Sequence, residues 1–271
     1  MKVIAAINGT ITAESVAFYA LMYAQAQKFT LVLLHIKNEK DNLDDVQASI
    51  ERISTVALSK DVQTESVILQ KFSKTIIKNF ILSEYIDTIF CSTRKHTKFI
   101  TDSFSELLIN MNFNIDIAVI RIVNISNIME VDNMFLSIKE DKLSVKKFAF
   151  FATLASAYEA KAEIYSVTNM SIYKLARLKM HEVKERLFTI NYNLRHYIKL
   201  ANFMPFTLYI KHDFTSNETQ SILMEIAKSD VQLLVIGAKR LSVSSFFFKE
   251  MPIEKLMRDT SVNTIAYYTK E

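Results

Sequence analysis

Residues 231–251 read VQLLVIGAKRLSVSSFFFKEM. The first part of this stretch has the length and apolar character of a buried strand, and Gly237 stands where that strand ends. In a parallel α/β protein, a glycine at the carboxyl end of a strand is where a phosphate-binding loop begins. The chain has only 2 glycines in 271 residues, so Gly237 indicates either a nucleotide site or the remnant of one.

Short apolar runs of this kind recur along the whole chain, and segments with helical spacing separate them. Strands are predicted at residues 2–8, 30–36, 65–69, 87–91 and 115–122, and again at 133–139, 162–168, 206–211, 232–237 and 263–268. Helices are predicted in the first half at residues 13–28, 73–84 and 101–111. Nearly all-apolar strands that alternate with helices are typical of a parallel sheet covered on both faces. The sequence therefore predicts an α/β fold.

The order of the predicted strands repeats once. Three pairs of strand ends align: Asn8 with Lys139 (139 − 8 = 131), Ile36 with Val167 (167 − 36 = 131) and Ser92 with Gly237 (237 − 92 = 145). A constant offset indicates a duplication. We therefore predict two similar domains, at residues 1–124 and 131–271, each built on a five-stranded parallel sheet flanked by helices.

The second copy carries about 14 extra residues (145 − 131), about four helical turns, within residues 171–202. This segment has an apolar stripe at helical spacing, and its basic residues outnumber Glu182 and Glu185. The basic residues are Lys174, Arg177, Lys179, Lys184, Arg186, Arg195 and Lys199. Such a face can bind nucleic acid or anionic lipid, or it can be the solvated side of a long amphipathic helix, which is the interpretation we favour.

Composition restricts the class of protein. Half of the residues are apolar, 23% are charged and the net charge is +4, so a nucleic-acid partner is not expected. No run approaches the ~20 apolar residues of a membrane helix, and the apolar start of the chain is too short for a signal peptide. The one cysteine, Cys91, lies in the apolar run DTIFC and is predicted to be a buried strand thiol. We expect a cytoplasmic protein without a membrane partner.

Three stretches resemble the universal stress proteins. Residues 31–39, LVLLHIKNE, are similar to that family's second strand, residues 233–240, LLVIGAKR, to its fourth, and residues 263–268, NTIAYY, stand where its last strand lies. The resemblance covers both halves, so the chain looks like a tandem universal stress protein. It implies a Rossmann-like fold of the adenine-nucleotide hydrolase-like type. The two halves would pair through their fifth strands as a pseudo-dimer, and whole chains could form a homodimer.

The resemblance also implies where a nucleotide would bind, because many members of the family bind ATP or AMP. In those members an acidic residue after the first strand meets the adenine–ribose end. The phosphates are held by Gly-x-x-Gly, nine residues, and then Gly-Ser or Gly-Thr. Glycines allow backbone N–H groups to approach phosphate oxygens, and the helix that follows favours an anion at its N-terminus.

This chain departs from that pattern in both halves. The family's positions are held by Asn8, Ser92, Lys95, Ser105 and Glu106 in the first half, and by Lys139, Gly237, Arg240, Glu250 and Met251 in the second. Glu106 and Glu250 would each place a carboxylate at the start of the fourth helix. That carboxylate stabilises the helix by ~0.3–1 kcal/mol and disfavours a second anion. We expect the usual nucleotide site to be lost in both halves, and no cofactor.

The alternative is that ATP, AMP or another anion binds at the strand-end loops without the glycines, since ligands of α/β folds bind at the carboxyl ends of strands. The candidate contacts are Asn8, Gly9, Thr10, Ser92, Thr93 and Arg94 in the first half, and Gly237, Lys239 and Arg240 in the second.

No pattern in the sequence indicates catalysis. The five histidines are scattered, and with one cysteine they match no zinc-site spacing; His35, at the end of an apolar strand, is predicted to be a core residue. Neither a Gly-x-Ser-x-Gly elbow nor a Walker loop is present in the sequence. We expect a stress-response protein that is not an enzyme, binds no metal, and acts through an unidentified protein partner or by sensing a ligand.

Overall fold

The computed structural model of the chain describes residues 1–38, 41–93, 104–111, 113–126, 128–238 and 252–270. They fall into two compact units. The first comprises Met1–Met129, Ala238 and the C-terminal segment from Ile265 onward, and the second comprises Glu130–Gly237 with the segment that ends at Thr264. None of the described helices is long and apolar enough to cross a membrane.

The first unit alternates strands with helices. Its elements are β1 (Lys2–Ile7), α1 (Ile11–Gln27), β2 (Thr30–Ile36), α2 (Leu43–Ser59), β3 (Thr64–Leu69), α3 (Lys74–Ser83), β4 (Ile86–Ser92), α4 (Phe104–Asn110) and β5 (Asp116–Arg121). The strand order is β3-β2-β1-β4-β5, and every neighbouring pair is parallel. The order reverses between β1 and β4, which is where open α/β sheets bind their ligands.

The second unit follows the same plan. Its elements are β6 (Asn133–Lys139), α5 (Val145–Tyr158), β7 (Lys161–Asn169), α6 (Ile172–Ala176), α7 (Met180–Ala201), β8 (Leu208–Thr215), α8 (Glu218–Lys228), β9 (Leu233–Ala238) and α9 (Pro252–Asp259). Its strands are ordered β9-β6-β7-β8, with parallel pairs throughout. The last strand, β10 (Asn263–Tyr268), neighbours β5 and joins the first unit from Ile265. The predicted α/β class, with parallel strands flanked by helices, is confirmed.

Apolar residues on both faces of the strands explain this layering. Val3, Ile4 and Ala5 are consecutive in β1 and all completely buried, as expected where helices cover both sides of a parallel sheet. Helix α1 buries ten of its 17 residues, and it packs on β1 and β4. Removal of a Val- or Ile-sized side chain from water contributes ~1.5–3 kcal/mol.

The 131-residue offset reappears in the backbone. Lys2 pairs with Thr30 between β1 and β2, and Asn133 pairs with Lys161 between β6 and β7. The left-handed residues repeat with the same spacing: Gly9 and Glu140 follow the first strand of each unit, and Lys28 and Glu159 end its first helix. The left-handed conformation, which L-residues rarely adopt, thus occurs at two equivalent positions in each unit.

Some boundaries differ from the sequence-based ones. Strand β8 was predicted at 206–211 but spans Leu208–Thr215, because its polar second half pairs with the far end of β7. The helical segment at 171–202 was predicted as one helix, but Arg177–Lys179 interrupt it and separate α6 from α7. Of the helix predicted at 101–111, residues 101–103 lie outside the described residues, and α4 covers Phe104–Asn110.

Candidate functional site

A cavity of about 760 Å³ opens in the first unit, where β1, β2, β3 and β4 end. Its polar lining includes Asn8, Lys37, Asp41, Lys71, Ser92 and Ser105. Its apolar lining includes Leu34, Phe72, Cys91 and Phe104. This volume is within the range of small-molecule sites, about 300–1,000 Å³. Two of the predicted contacts, Asn8 and Ser92, therefore share one cavity.

Asn8 organises the turn after β1. Its side-chain Oδ1 accepts hydrogen bonds from the Thr10 backbone N (3.2 Å) and from Thr10 Oγ1 (2.7 Å). Thr10 in turn caps α1, because its Oγ1 accepts a hydrogen bond from Ala13 N (3.3 Å). The Asn8 carboxamide oxygen is thus engaged, and its Nδ2 group makes no hydrogen bond within the part of the chain that is described. Asn8 offers donors to the cavity where the family's acidic residue would offer acceptors.

The local backbone explains why residue 9 is a glycine, without any ligand. Its φ is +77°, a left-handed conformation that costs an L side chain about 1–2 kcal/mol. A Cβ on residue 9 would lie 3.0 Å from both Asp45 Cβ and Val46 N. The backbone at Gly9 therefore packs closely against the first turn of α2. Neither Gly9 nor Thr10 contributes to the cavity lining among the described residues.

His35 lies near the end of β2, and Asp41 lies in the loop that follows this strand. The completely buried His35 donates from Nδ1 to the Ile7 carbonyl oxygen (3.0 Å), so the predicted core role of His35 is confirmed. Its Nε2 lies 3.5 Å from Asp41 Oδ2. Asp41 Oδ2 also accepts a hydrogen bond from Asn38 N (3.0 Å). The hydrogen bond between Asn38 and Asp41 fixes the loop that carries Lys37 at the rim of the cavity.

The end of β4 supplies the remaining predicted residues. Thr93 N donates to the Ile120 carbonyl oxygen (2.9 Å), which continues the pairing with β5. Cys91 is buried, as predicted, and burial raises the pKa of its thiol to about 12. The thiol is therefore protonated at neutral pH and is a poor nucleophile. Glu106 occupies the first turn of α4, as expected. Arg94 and Lys95 lie outside the described residues.

In the second unit, the space beside Gly237 is occupied by a lysine. A Cβ on residue 237 would lie 2.6 Å from Lys147 Cδ and 2.9 Å from its Nζ. Lys147 belongs to the first turn of α5, which Ser144 caps. An aliphatic stem and an ammonium group thus lie where the phosphate loop of the family would begin. Lys239, Arg240, Glu250 and Met251 lie outside the described residues.

A second cavity, of about 700 Å³, lies between the ends of β6 and β7 and the two inserted helices. It is lined by Glu140 and Thr168 from the strand ends, by Tyr173 of α6 and Arg186 of α7, and by Arg177 between the two helices. The guanidinium of Arg177 stacks on the Tyr173 ring, 4.0 Å from its centroid. Asn193 of α7 donates to Asp141 Oδ2, and Tyr197 donates from its hydroxyl to the Leu143 carbonyl oxygen (2.6 Å). The insertion therefore roofs this strand-end region.

Sequence reasoning missed several residues that line these regions. Lys37 and Lys71 directly or nearly follow β2 and β3, so their place at the carboxyl ends of parallel strands was a usable signal. Lys147 gave no such signal, because its contact with Gly237 depends on how α5 packs on β9. Among the described residues, no group of three or more His, Cys, Asp or Glu side chains is placed to hold a metal ion.

No protein-family model matches this chain, and no curated protein is significantly similar to it in sequence. Solved structures do match. A universal stress protein from Archaeoglobus fulgidus DSM 4304 has a TM-score of 0.62 at 12% identity, over 100% of this chain and 98% of that one. A functionally unknown protein from Pseudomonas aeruginosa PAO1 has 0.63 at 12% identity, over 99% and 92%. The cytoplasmic domain of a prokaryotic cation chloride cotransporter has 0.60 at 8% identity, over 99% and 95%. At these identities the likeness shows a shared fold.

Proposed function

We propose that this chain is a tandem universal-stress-type protein of the cytoplasm, which acts in stress response by sensing a small ligand or binding a protein partner and does not catalyse a reaction. The likeness in fold to the Archaeoglobus fulgidus protein supports the family. The 131-residue repeat of strand registers and left-handed turns supports the tandem arrangement. The phosphate loop of the family is degenerate in both halves.

The cavity of the first unit carries the ligand-sensing part of this proposal. Phe72 and Phe104 are part of its apolar lining, while Asn8, Lys37 and Lys71 provide hydrogen-bond donors and positive charge. A ligand with a flat apolar part and an anionic or hydrogen-bonding part suits such a lining. The second unit contributes less to this function, because Lys147 covers the glycine at the equivalent strand end.

AMP or ATP is the second candidate, and Lys37 and Lys71 are the observation that favours it. Both are exposed cations on the rim of the cavity, and an ammonium group is an effective partner for phosphate. A nucleotide bound through them would rely on side-chain cations from the ends of β2 and β3. It would not need the backbone N–H cradle that the family's glycines provide.

Two measurements test the proposal. The purified protein is heat-denatured and the supernatant is analysed by mass spectrometry for released ligands. Thermal melts are then recorded with adenosine, AMP, Mg-ATP and inorganic phosphate. A ligand at 100 times its dissociation constant stabilises the folded state by ~2.7 kcal/mol. If adenosine stabilises the protein as much as AMP and ATP do, the cavity binds the ring of the ligand. If AMP or ATP stabilises the protein much more than adenosine does, the lysines bind phosphate.

Variants assign any such shift to the cavity. Lys37→Ala combined with Lys71→Ala removes two exposed cations and should abolish the advantage of AMP over adenosine. Ser92→Trp fills the cavity and should abolish every shift. Gly237→Ala, at the corresponding strand end of the second unit, is the matched control and should leave the shifts unchanged. No released ligand and no shift with any of these compounds would leave protein binding as the function.

A further inference from the structure

Helix α7 is unusually exposed for its length. It has 22 residues, of which only Ile190, Leu194 and Ala201 are buried. The shorter α1 buries ten of 17. Helix α6, which precedes it, has no buried residue at all. A long helix that contributes so little to the core leaves most of its surface exposed to solvent.

Charge is concentrated in the same segment. Residues 171–202 contain seven lysines and arginines and two glutamates, a net charge of +5, while the whole chain carries +4. All other residues together therefore carry −1. Both glutamates, Glu182 and Glu185, line the cavity beneath α7. Lys184, Arg195 and Lys199 do not line it, so the surface away from the cavity has cations without an acidic residue of the segment beside them.

Large apolar side chains share that surface. At about 100° per residue, one sector of roughly 120°, which we call the outer face of α7, contains Met180, Lys184, Phe188, Tyr192, Arg195 and Lys199. His181, Asn191 and Ile198 lie in the same sector. Phe188 is 72% exposed and Tyr192 is 53% exposed. Their rings are stacked with centroids 6.3 Å apart, and the Arg195 guanidinium lies over Tyr192, 3.5 Å from its centroid. Phe203, just beyond the helix, is 89% exposed.

We propose that the outer face of α7 binds the surface of a bilayer that contains anionic lipids. Apolar side chains that enter the headgroup boundary and cations that attract anionic headgroups act together in such binding. Met180 and Phe188 supply the first property, and Lys184, Arg195 and Lys199 supply the second. Sequence alone favoured a merely solvated face and no membrane partner, and the exposure of these apolar side chains on the cationic side of the helix is what changes the inference.

The same side chains suit a bilayer better than a single-stranded nucleic acid. Bases need a free aromatic face to stack on, and one face of Tyr192 is already covered by Arg195. The exposed aliphatic side chain of Met180 adds nothing to stacking, but it can enter an apolar phase.

Vesicle co-sedimentation of the full chain tests this proposal. We expect binding to phosphatidylcholine vesicles that contain about 30% phosphatidylglycerol, little binding to pure phosphatidylcholine, and loss of binding in 0.5 M salt. Lys184→Gln with Lys199→Gln should weaken the partition coefficient by about fivefold per charge. Phe188→Ser with Tyr192→Ser should weaken it at least as much.

Matched controls are available on α3 and directly after it. Lys74→Gln with Lys78→Gln removes two exposed charges, and Leu82→Ser with Tyr85→Ser removes two exposed apolar groups. Neither pair should change vesicle binding. Equal binding to both vesicle types, or equal losses for the α7 and α3 variants, would overturn the proposal. So would absence of vesicle binding, whether the chain binds a single-stranded RNA oligonucleotide instead, forms a dimer that the Phe188 and Tyr192 changes dissociate, or does neither. Melting curves establish that every variant is folded.

Discussion

The side chain of Lys147 lies directly against the backbone of Gly237. Its Cδ atom is 2.6 Å, and its Nζ atom 2.9 Å, from the position that a Cβ on residue 237 would take. Real Cβ atoms do not approach other atoms so closely, so the glycine is what allows this lysine to cross the strand end. The glycine that suggested a phosphate loop in the sequence is thus explained by intramolecular packing.

The first prediction is a coupling between these two residues. Gly237→Ala should change the free energy of unfolding by less than about 1 kcal/mol, because the atoms in its way are the far end of a flexible side chain. In a Lys147→Ala background, the same change should be stabilising by ~0.5–1 kcal/mol, since alanine is favoured over glycine inside a strand. Urea unfolding of the four proteins measures the coupling, and additive effects would contradict the contact.

The second prediction concerns Gly9, where the neighbours are backbone and a Cβ and cannot move away. Gly9→Ala should cost more than ~1–2 kcal/mol, because the left-handed φ of +77° adds to the contacts with Asp45 and Val46. The matched control is Glu140, which has a φ of +53° at the equivalent turn. Glu140→Gly should stabilise by up to ~1 kcal/mol. A smaller loss at Gly9 than at Gly237 in urea unfolding would refute this account.

Fold class was predictable from sequence because it depends on side-chain periodicity, which is a local property. Val3, Ile4 and Ala5 in succession already indicate a strand covered on both faces. The site was only partly predictable. Asn8 and Ser92 meet in one cavity because both end parallel strands. The contact of Lys147 with Gly237 joins residues 90 positions apart, and no local pattern encodes it. The residues of the outer face of α7 follow from helical spacing in the sequence. Their exposure does not, because it depends on which side of the helix packs against the rest of the unit.

The third prediction is that Glu163 destabilises the protein at neutral pH. Burial raises the pKa of this carboxyl group; nearby Lys211 lowers it and Glu225 raises it further. Its Oε1 atom has no hydrogen-bond partner among the described residues. Because the folded-state pKa lies above the unfolded one, stability falls as the pH rises through that interval and the carboxyl group ionises. Glu163→Gln should therefore stabilise by about 0.5 kcal/mol at pH 7, a small value because the side chain is only half buried.

The pH dependence and a neighbouring residue provide the check on Glu163. At pH 4 the glutamate is mostly protonated in both states, because its pKa in the unfolded chain is about 4.3, so most of the benefit of Glu163→Gln should disappear there. Glu225→Gln is the control of opposite sign, because Glu225 forms an ion pair with Lys211 and should lose stability at pH 7. Denaturant midpoints at pH 4 and pH 7 decide the matter, and an equal gain at both values would contradict the ionisation argument.

The fourth prediction concerns Tyr267 of β10, whose hydroxyl donates to Asp116 Oδ2 of β5 over 2.7 Å. Tyr267→Phe leaves this buried carboxylate short of a donor and should cost ~1–3 kcal/mol at pH 8. Burial, followed by the charge and hydrogen bond of Asp116, raises the pKa of Tyr267. The folded state therefore keeps a proton that the unfolded chain releases above about pH 10. Stability from this group is complete below pH 10 and declines above it, by up to ~1.4 kcal/mol per pH unit.

Urea unfolding at pH 8 and at pH 10.5 tests this argument. The difference in the free energy of unfolding between the wild type and Tyr267→Phe should be smaller at pH 10.5 than at pH 8. The control Tyr85→Phe, at an exposed tyrosine, should leave the free energy of unfolding unchanged at both pH values. If the difference between the wild type and Tyr267→Phe is the same at both pH values, Tyr267 does not hold its proton as argued.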